Sequence, residues 1–148
     1  MRITLVLVAI AALLVAAAPV SAKVKKLEAK LSGANEMPAA DPDGSGNAQL
    51  RLNRAKKKVC FEIRVKKIGQ VVAAHIHKGG KSVASGPIVV PLIEGAKTGS
   101  KFTGCVKKVK KSLISAILKH PRRYYVNVHT ADFPAGAIRG QLQKRAAA

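Results

Sequence analysis

The sequence predicts an all-β domain, an antiparallel Greek-key β-sandwich or barrel of about eight strands with one short helix. Three observations lead to this prediction. Apolar runs of five to eight residues recur along the chain, turn-forming clusters of Gly, Pro, Asn, Asp and Lys separate them, and only one segment has apolar residues at helical spacing. Short strands spaced in this way are typical of sandwiches and barrels.

Residues 1–22 have the pattern of an export signal. Arg2 supplies a positive charge, an apolar stretch covers 3–18, and small residues at 20–22 resemble a cleavage site. A retained membrane anchor is the alternative, but the apolar stretch is short and no second run of spanning length follows. We therefore expect a secreted or extracytoplasmic protein with a single domain over residues 23–148 and no membrane span once the signal is removed.

The predicted strands are rich in Val, Ile and other residues that favour extended backbone. In chain order they are Val24–Leu31, Ala48–Leu52, Val59–Val65, Val71–His77, Ile88–Leu92, Lys101–Val106, Tyr124–His129 and Ala137–Leu142. Turn-forming clusters lie between them at 41–46, 53–58, 78–80, 94–95 and 132–136. Such short connections favour antiparallel neighbours.

The one helical segment is predicted over Ser112–His120. Its apolar residues lie at positions 113, 114, 117 and 118, which form one face of a helix. Ser112 is a candidate N-cap, and Pro121 lies just beyond the end. His120 is expected to act as a cation at the helix C-terminus rather than as a metal ligand.

The chain is strongly basic, with 27 Lys and Arg against 7 Asp and Glu. Such a charge attracts polyanions, so the expected partners are anionic polymers of the cell envelope or another extracellular protein. The alternative is that most lysines are solvated strand ends and turn tips that discourage aggregation. Nucleic acid is not expected, because the five aromatic residues are not interleaved with the basic runs as a base-stacking surface requires.

Cys60 and Cys105 both lie in predicted strands. Two cysteines in an exported chain favour a disulfide. Closing a loop of about 45 residues stabilises a fold by roughly 4 kcal/mol in the chain-entropy model. A catalytic thiol is not expected, since no histidine is adjacent to either cysteine in sequence.

Three of the four histidines lie in two predicted strands. His75 and His77 share a strand face about 7 Å apart, and Asn127 and His129 share a face in the same way. If the two strands pair, three imidazoles and one amide line a single polar patch. One hypothesis is a Zn or Cu site with His75, His77 and His129 as ligands and Asp132 as a fourth, because neutral imidazole suits both ions.

The alternative for the histidines is a hydrogen-bond network that ties the two strands together. No enzyme is predicted and no cofactor beyond the possible metal. No Gly-x-Ser-x-Gly elbow occurs, and the seven carboxylates include no close pair suited to glycoside hydrolysis. Residues 79–82 resemble the end of a phosphate-binding loop but lack its first glycine.

Four motifs in order resemble the signatures of the CHRD domain, the module named for chordin. They are Leu31–Pro38, Ala74–His77, Tyr124–Thr130 and Phe133–Leu142. The resemblance covers about residues 23–143 and implies a secreted or extracellular β-rich module with no established catalytic activity. The family's last motif has an acidic residue where this chain has Ala137, so a role for that carboxylate does not carry over.

Several motif residues have structural interpretations. Asn35 and Pro38 are turn formers that suit a rigid bend presenting Glu36, with a binding loop as the alternative. Arg139 is expected to bond loop carbonyls at the end of the barrel or sandwich, and Asn127 to bond backbone groups. Structural roles are therefore expected for these residues.

Overall fold

The computed structural model describes residues 24–145. The predicted export signal lies outside these residues. None of the helices within residues 24–145 is long and apolar enough to cross a membrane.

The described chain forms nine strands, one α-helix and two short 3-10 turns. The strands are β1 Lys25–Ser32, β2 Ser45–Asn53, β3 Lys58–Lys66, β4 Val71–Lys78, β5 Ile88–Lys97, β6 Lys101–Val106, β7 Tyr124–Thr130, β8 Ile138–Gln141 and β9 Gln143–Lys144. The helix α1 covers Lys111–Lys119, and the 3-10 turns cover Gly33–Asn35 and Pro121–Arg123. All eight predicted strands are present, and the two-residue β9 is an addition.

The strands form one antiparallel sheet with the order β5-β4-β7-β8-β1-β2-β3-β6, and β9 pairs with β1. The two end strands, β5 and β6, approach each other, so that the sheet curls into a nearly closed barrel. The predicted fold class is confirmed in its barrel form. Alternate apolar side chains fill the interior, as Val59, Phe61 and Ile63 do on β3.

The predicted turn at 94–95 is wrong, because β5 continues to Lys97. Strand β5 pairs with β4 along its whole length. The register between the two strands shifts at several points, and the last pair is Val71 and Lys97. Gly95 has a φ of 76°, a left-handed conformation that glycine adopts without steric cost. The glycine therefore marks an irregularity within the strand, and the reversal comes after Lys97.

The helix is confirmed, but Ser112 does not cap it. The N–H of Ile114 donates to the carbonyl of Lys110, so the helix starts one residue earlier and Ser112 lies inside the first turn. Ile114 and Ile117 are buried against the barrel. His120 follows the last helical residue, and its N–H donates to the Ala116 carbonyl.

The predicted disulfide between Cys60 and Cys105 is confirmed. The two residues lie directly opposite each other on β3 and β6. Their neighbours Val59 and Phe61 point into the core, so the disulfide lies on the outer surface, where Cys105 is exposed. It fastens the edge strand β6 to the rest of the sheet.

Candidate metal centre

The candidate site lies on the outer face of the adjoining strands β4, β7 and β8. Side chains that alternate with it point into the core: Ala74, Ile76, Val126, Val128 and Ile138. Cross-strand pairing places His75 opposite Asn127, and Asn127 opposite Arg139. In the next row His77 lies opposite Tyr125. His129 joins this face because it is two residues from Asn127.

The structure brings His75, His77 and His129 together. Each offers one ring nitrogen, and these nitrogens all lie within 4.8 Å of one another. The shortest contact joins His75 Nδ1 and His129 Nε2 at 3.2 Å. His77 and His129 are buried and His75 is half-buried.

Backbone carbonyls fix the tautomers of two of these rings. The Nδ1 of His77 lies 2.7 Å from the Gly86 oxygen, and the Nδ1 of His129 lies 3.0 Å from the Pro134 oxygen. A carbonyl oxygen only accepts, so both Nδ1 atoms carry the proton and both Nε2 atoms keep a lone pair. The Nε2 of His77 is buried without a hydrogen-bond partner among the described residues. Metal-bound histidines are oriented in this way by their second nitrogen.

The environment keeps the imidazoles neutral. Burial, together with the neighbouring His129 and His77, lowers the pKa of His75 to about 4. The pKa values of His77 and His129 are also lowered, chiefly by burial, although their bonds to carbonyls act in the opposite direction. Neutral imidazole is the form that binds a metal ion.

Arg139 holds the loop that covers the site. Its side chain is almost fully buried, and Nε donates to the Asn35 carbonyl at 2.6 Å. Nη1 donates to the Val83 and Ala84 carbonyls at 2.9 and 3.1 Å, and Nη2 donates to the Lys81 carbonyl at 3.0 Å. Three of these carbonyls belong to the 79–87 segment between β4 and β5. Arg139 thereby positions the segment that contains Gly86. We call this set of hydrogen bonds from its guanidinium group the Arg139 clamp.

Tyr125 connects this loop to the histidines. Its ring stacks on His77 with centroids 4.9 Å apart, and its hydroxyl accepts the N–H of Gly86 at 3.0 Å. The Arg139 guanidinium lies 4.7 Å from the centre of the same ring. The Tyr125 side chain thus contacts the His77 ring, Gly86 of the loop and the Arg139 guanidinium.

The 31–38 motif contacts Arg139 rather than the histidines. The Nδ2 of Asn35 donates to the Arg139 carbonyl at 3.1 Å, and Glu36 Oε2 lies 3.9 Å from Arg139 Nε. Pro38 follows a cis peptide bond in the same bend. Glu36 Oε1 and Asn127 Oδ1 are both buried without a hydrogen-bond partner among residues 24–145. A Cβ on Gly136 would lie within 2.7 Å of both side chains, so this glycine allows close packing there.

Asp132 does not belong to the histidine group. β7 ends at Thr130, and the chain then turns, leaving Asp132 exposed with its carboxylate beside Gly69. The same turn brings the Pro134 carbonyl back to His129. The structure therefore groups the three histidines without Asp132, and the contact that this turn makes with His129 comes from a backbone carbonyl.

The sequence analysis did not identify Tyr125, Gly86 and Pro134 as parts of the site. Tyr125 could have been found, because it lies two residues before Asn127 and so shares the face of the polar patch. The two carbonyl contacts have no sequence signal, since every residue has a carbonyl and the loop path decides which one approaches.

Glu36 provides a test of this buried polar layer. Burial raises its pKa from 4.5 to about 7, against the opposing effect of the Arg139 charge. A raised folded-state pKa means that its stabilising contribution is complete below pH 4.5 and is lost as pH rises through 7. At pH 8 the Glu36→Gln variant is therefore expected to exceed the wild type in unfolding free energy by up to about 3 kcal/mol.

The measurement is urea unfolding of both proteins from pH 4 to pH 8. The three histidines also titrate, but both proteins contain them, so their effect cancels in the difference. If the difference in unfolding free energy between the two proteins is the same at every pH, the pKa of Glu36 is not raised in the folded state.

The family model of the CHRD domain matches residues 27–142, which is most of the chain. Comparison with curated proteins and with solved structures finds no match. The matched range includes the three histidines, the 79–87 segment and the Arg139 clamp. The chain belongs to the CHRD domain family.

Proposed function

We propose that this CHRD domain is a non-catalytic, extracytoplasmic module that binds one Zn or Cu ion through His75, His77 and His129. The proposal rests mainly on one observation: three imidazole nitrogens lie within 4.8 Å of one another, and backbone carbonyls orient two of the rings. Burial keeps the rings neutral, so protons do not compete with the metal ion for the ring nitrogens at pH 7.

The spacing is close to what zinc requires. Bonds of about 2.1 Å in a tetrahedral site place two nitrogens about 3.4 Å apart. The contact of 3.2 Å between His75 and His129 is already near this value. The nitrogen of the third ring lies within 4.8 Å of the other two, so this ring has to move closer when the metal binds. Copper(II) is expected to bind more tightly than zinc at such a nitrogen site.

The metal prediction is tested on protein purified without a His-tag and stripped with chelator. Titration with Zn or Cu in a calorimeter is expected to show one site, and metal at one hundred times its Kd is expected to add about 2.7 kcal/mol to the unfolding free energy. The His75→Ala/His77→Ala variant is expected to lose both effects. His120→Ala is the matched control, because His120 is exposed and outside the group.

Circular dichroism of the metal-free variant separates loss of binding from loss of folding, and a His129→Gln variant provides a second, milder test. A wild type that binds neither metal, with a variant that is merely less stable, would instead support the structural network of histidines. In that network the only direct bond between rings among the described residues is the one between His75 and His129.

A second function, adhesion to anionic polymers of the envelope, is favoured by unneutralised charge. Within residues 24–145 the lysine and arginine side chains that lie within 4.0 Å of a carboxylate are Arg64, Lys101 and Arg139. The remaining cations keep their full charge for an external partner.

Adhesion of this kind is expected to weaken as salt rises. Binding to an immobilised anionic polymer should fall steeply between 50 and 500 mM NaCl, because the Debye length shortens from roughly 14 to 4 Å. Co-sedimentation at a series of salt concentrations measures this. Binding that does not change with salt would contradict an electrostatic mechanism.

A further inference from the structure

Two adjoining basic cavities lie along the short strand β9. The first, of about 500 Å³, is lined by the end of α1, the following 3-10 turn and Lys144. The second, of about 230 Å³, lies on the β1 and β8 side. Gln143 lines both, so the two cavities lie on either side of one side chain. Seven cationic side chains line the two cavities, of which Arg139 is buried. We call the two cavities together the basic groove and define it by the six exposed cations, Lys30, Lys81, Lys119, Arg122, Arg123 and Lys144.

No carboxylate lines either part of the groove, whereas Glu62 and Glu94 line cavities elsewhere. One other cavity, which contains Lys66 and Lys67, also has no carboxylate in its lining, but two of its four cations, Arg64 and Lys101, pair with Glu62. None of the six groove cations forms an ion pair with a residue that the structure describes. Two acidic groups border the groove. Glu28 Oε1 accepts a hydrogen bond from Gln143 Nε2 at 3.2 Å, and Glu36 Oε2 lies 3.9 Å from Nε of the buried Arg139. The potential in the groove is therefore strongly positive.

The lining residues indicate what kind of anion fits. Arg122 and Arg123 are consecutive and exposed, and a guanidinium group binds phosphate through two parallel hydrogen bonds. No Phe, Tyr or Trp lines the groove, and its one aromatic ring is the imidazole of His120, so it offers bases little stacking surface. The cations extend over both cavities, so one small anion cannot contact them all.

We propose that the basic groove binds a linear polymer of repeated phosphate groups, which is the contact surface for the adhesion function proposed above. Each phosphate neutralises a cation, and simultaneous contacts along one chain raise the overall affinity well above that of a single phosphate. The groove makes no use of the histidine site. Metal removal is therefore expected to leave polymer binding unchanged.

The test compares two triple variants in binding to inorganic polyphosphate. Lys30→Gln/Lys119→Gln/Lys144→Gln removes three charges from both parts of the groove. Lys66→Gln/Lys67→Gln/Lys97→Gln removes three exposed charges outside it. Titration at several salt concentrations is expected to show roughly tenfold weaker binding for the groove variant and a salt slope lower by roughly two, with a much smaller change for the control. Glu28→Gln is expected to tighten binding.

The outcomes separate the two proposals. A wild type that binds another anionic polymer but not polyphosphate would overturn the groove assignment and leave adhesion standing, whereas a wild type that binds no anionic polymer would overturn both. A wild type that binds polyphosphate, with equal losses in the two triple variants, would leave adhesion standing and overturn the groove as its contact surface. Tighter binding to single-stranded DNA than to polyphosphate of equal charge would also overturn the assignment, since bases would then contribute.

Discussion

Replacing Arg139 with methionine is expected to destabilise the domain by roughly 3–5 kcal/mol, the cost of breaking a buried charged network. The guanidinium group donates to four backbone carbonyls, and methionine donates to none. Each carbonyl that stays buried without a donor adds its desolvation penalty. The variant also leaves the carboxyl of Glu36 without its cationic neighbour.

Urea unfolding of the metal-free protein at pH 7 measures this loss. Arg51→Met is the matched control, because Arg51 is exposed on β2 and makes no side-chain hydrogen bond with the described residues. Its unfolding free energy is expected to stay within about 0.5 kcal/mol of the wild type. An Arg139→Met variant as stable as the control would show that the loop does not depend on the clamp.

Arg139→Lys separates charge from geometry. Lysine keeps the positive charge near Glu36 but lacks the planar fork that reaches several carbonyls at once. It is therefore expected to recover only part of the lost stability. Because the clamp positions the segment that contains Gly86, folded Arg139→Lys protein is also expected to bind metal more weakly than the wild type.

The strand pattern could be predicted because each strand has one face in the core. On β3 the apolar residues alternate with polar ones, and only the apolar face is buried. The same period of two indicated that His75 and His77 share a face. It also placed Asn127 and His129 on one face of the second strand.

The burial of that polar face could not be predicted. Period-two reasoning places one face of a strand in the core and leaves the other to solvent, yet all seven residues of β7 are buried. Loops that are distant in sequence cover it, since Arg139 contacts carbonyls more than fifty residues earlier in the chain. The path of a loop depends on tertiary contacts. The local sequence therefore predicts neither the contact between the Gly86 carbonyl and His77 nor the position of Asp132 away from the histidines.

The Cys60→Ala/Cys105→Ala variant is expected to lose about 4 kcal/mol of unfolding free energy in the chain-entropy model, since the bridge closes a loop of 45 residues. That loop contains β4 and β5 and ends on β6, the strand that meets β5 at the barrel's open seam. The ladder with β3 still holds β6 in the folded variant. The loss therefore arises mainly because the unfolded chain regains its freedom.

Urea unfolding of the wild type with and without reductant provides the measurement and its control. Reductant is expected to lower wild-type stability to that of the double variant and to leave the variant unchanged, because Cys105 is exposed and accessible. The folded variant is expected to keep its metal affinity, since the histidines lie on β4 and β7 rather than on the bridged strands. A variant whose unfolding free energy is within 1 kcal/mol of that of the oxidised wild type would contradict this. It would mean that residual structure already restricts the loop between residues 60 and 105 in the unfolded chain.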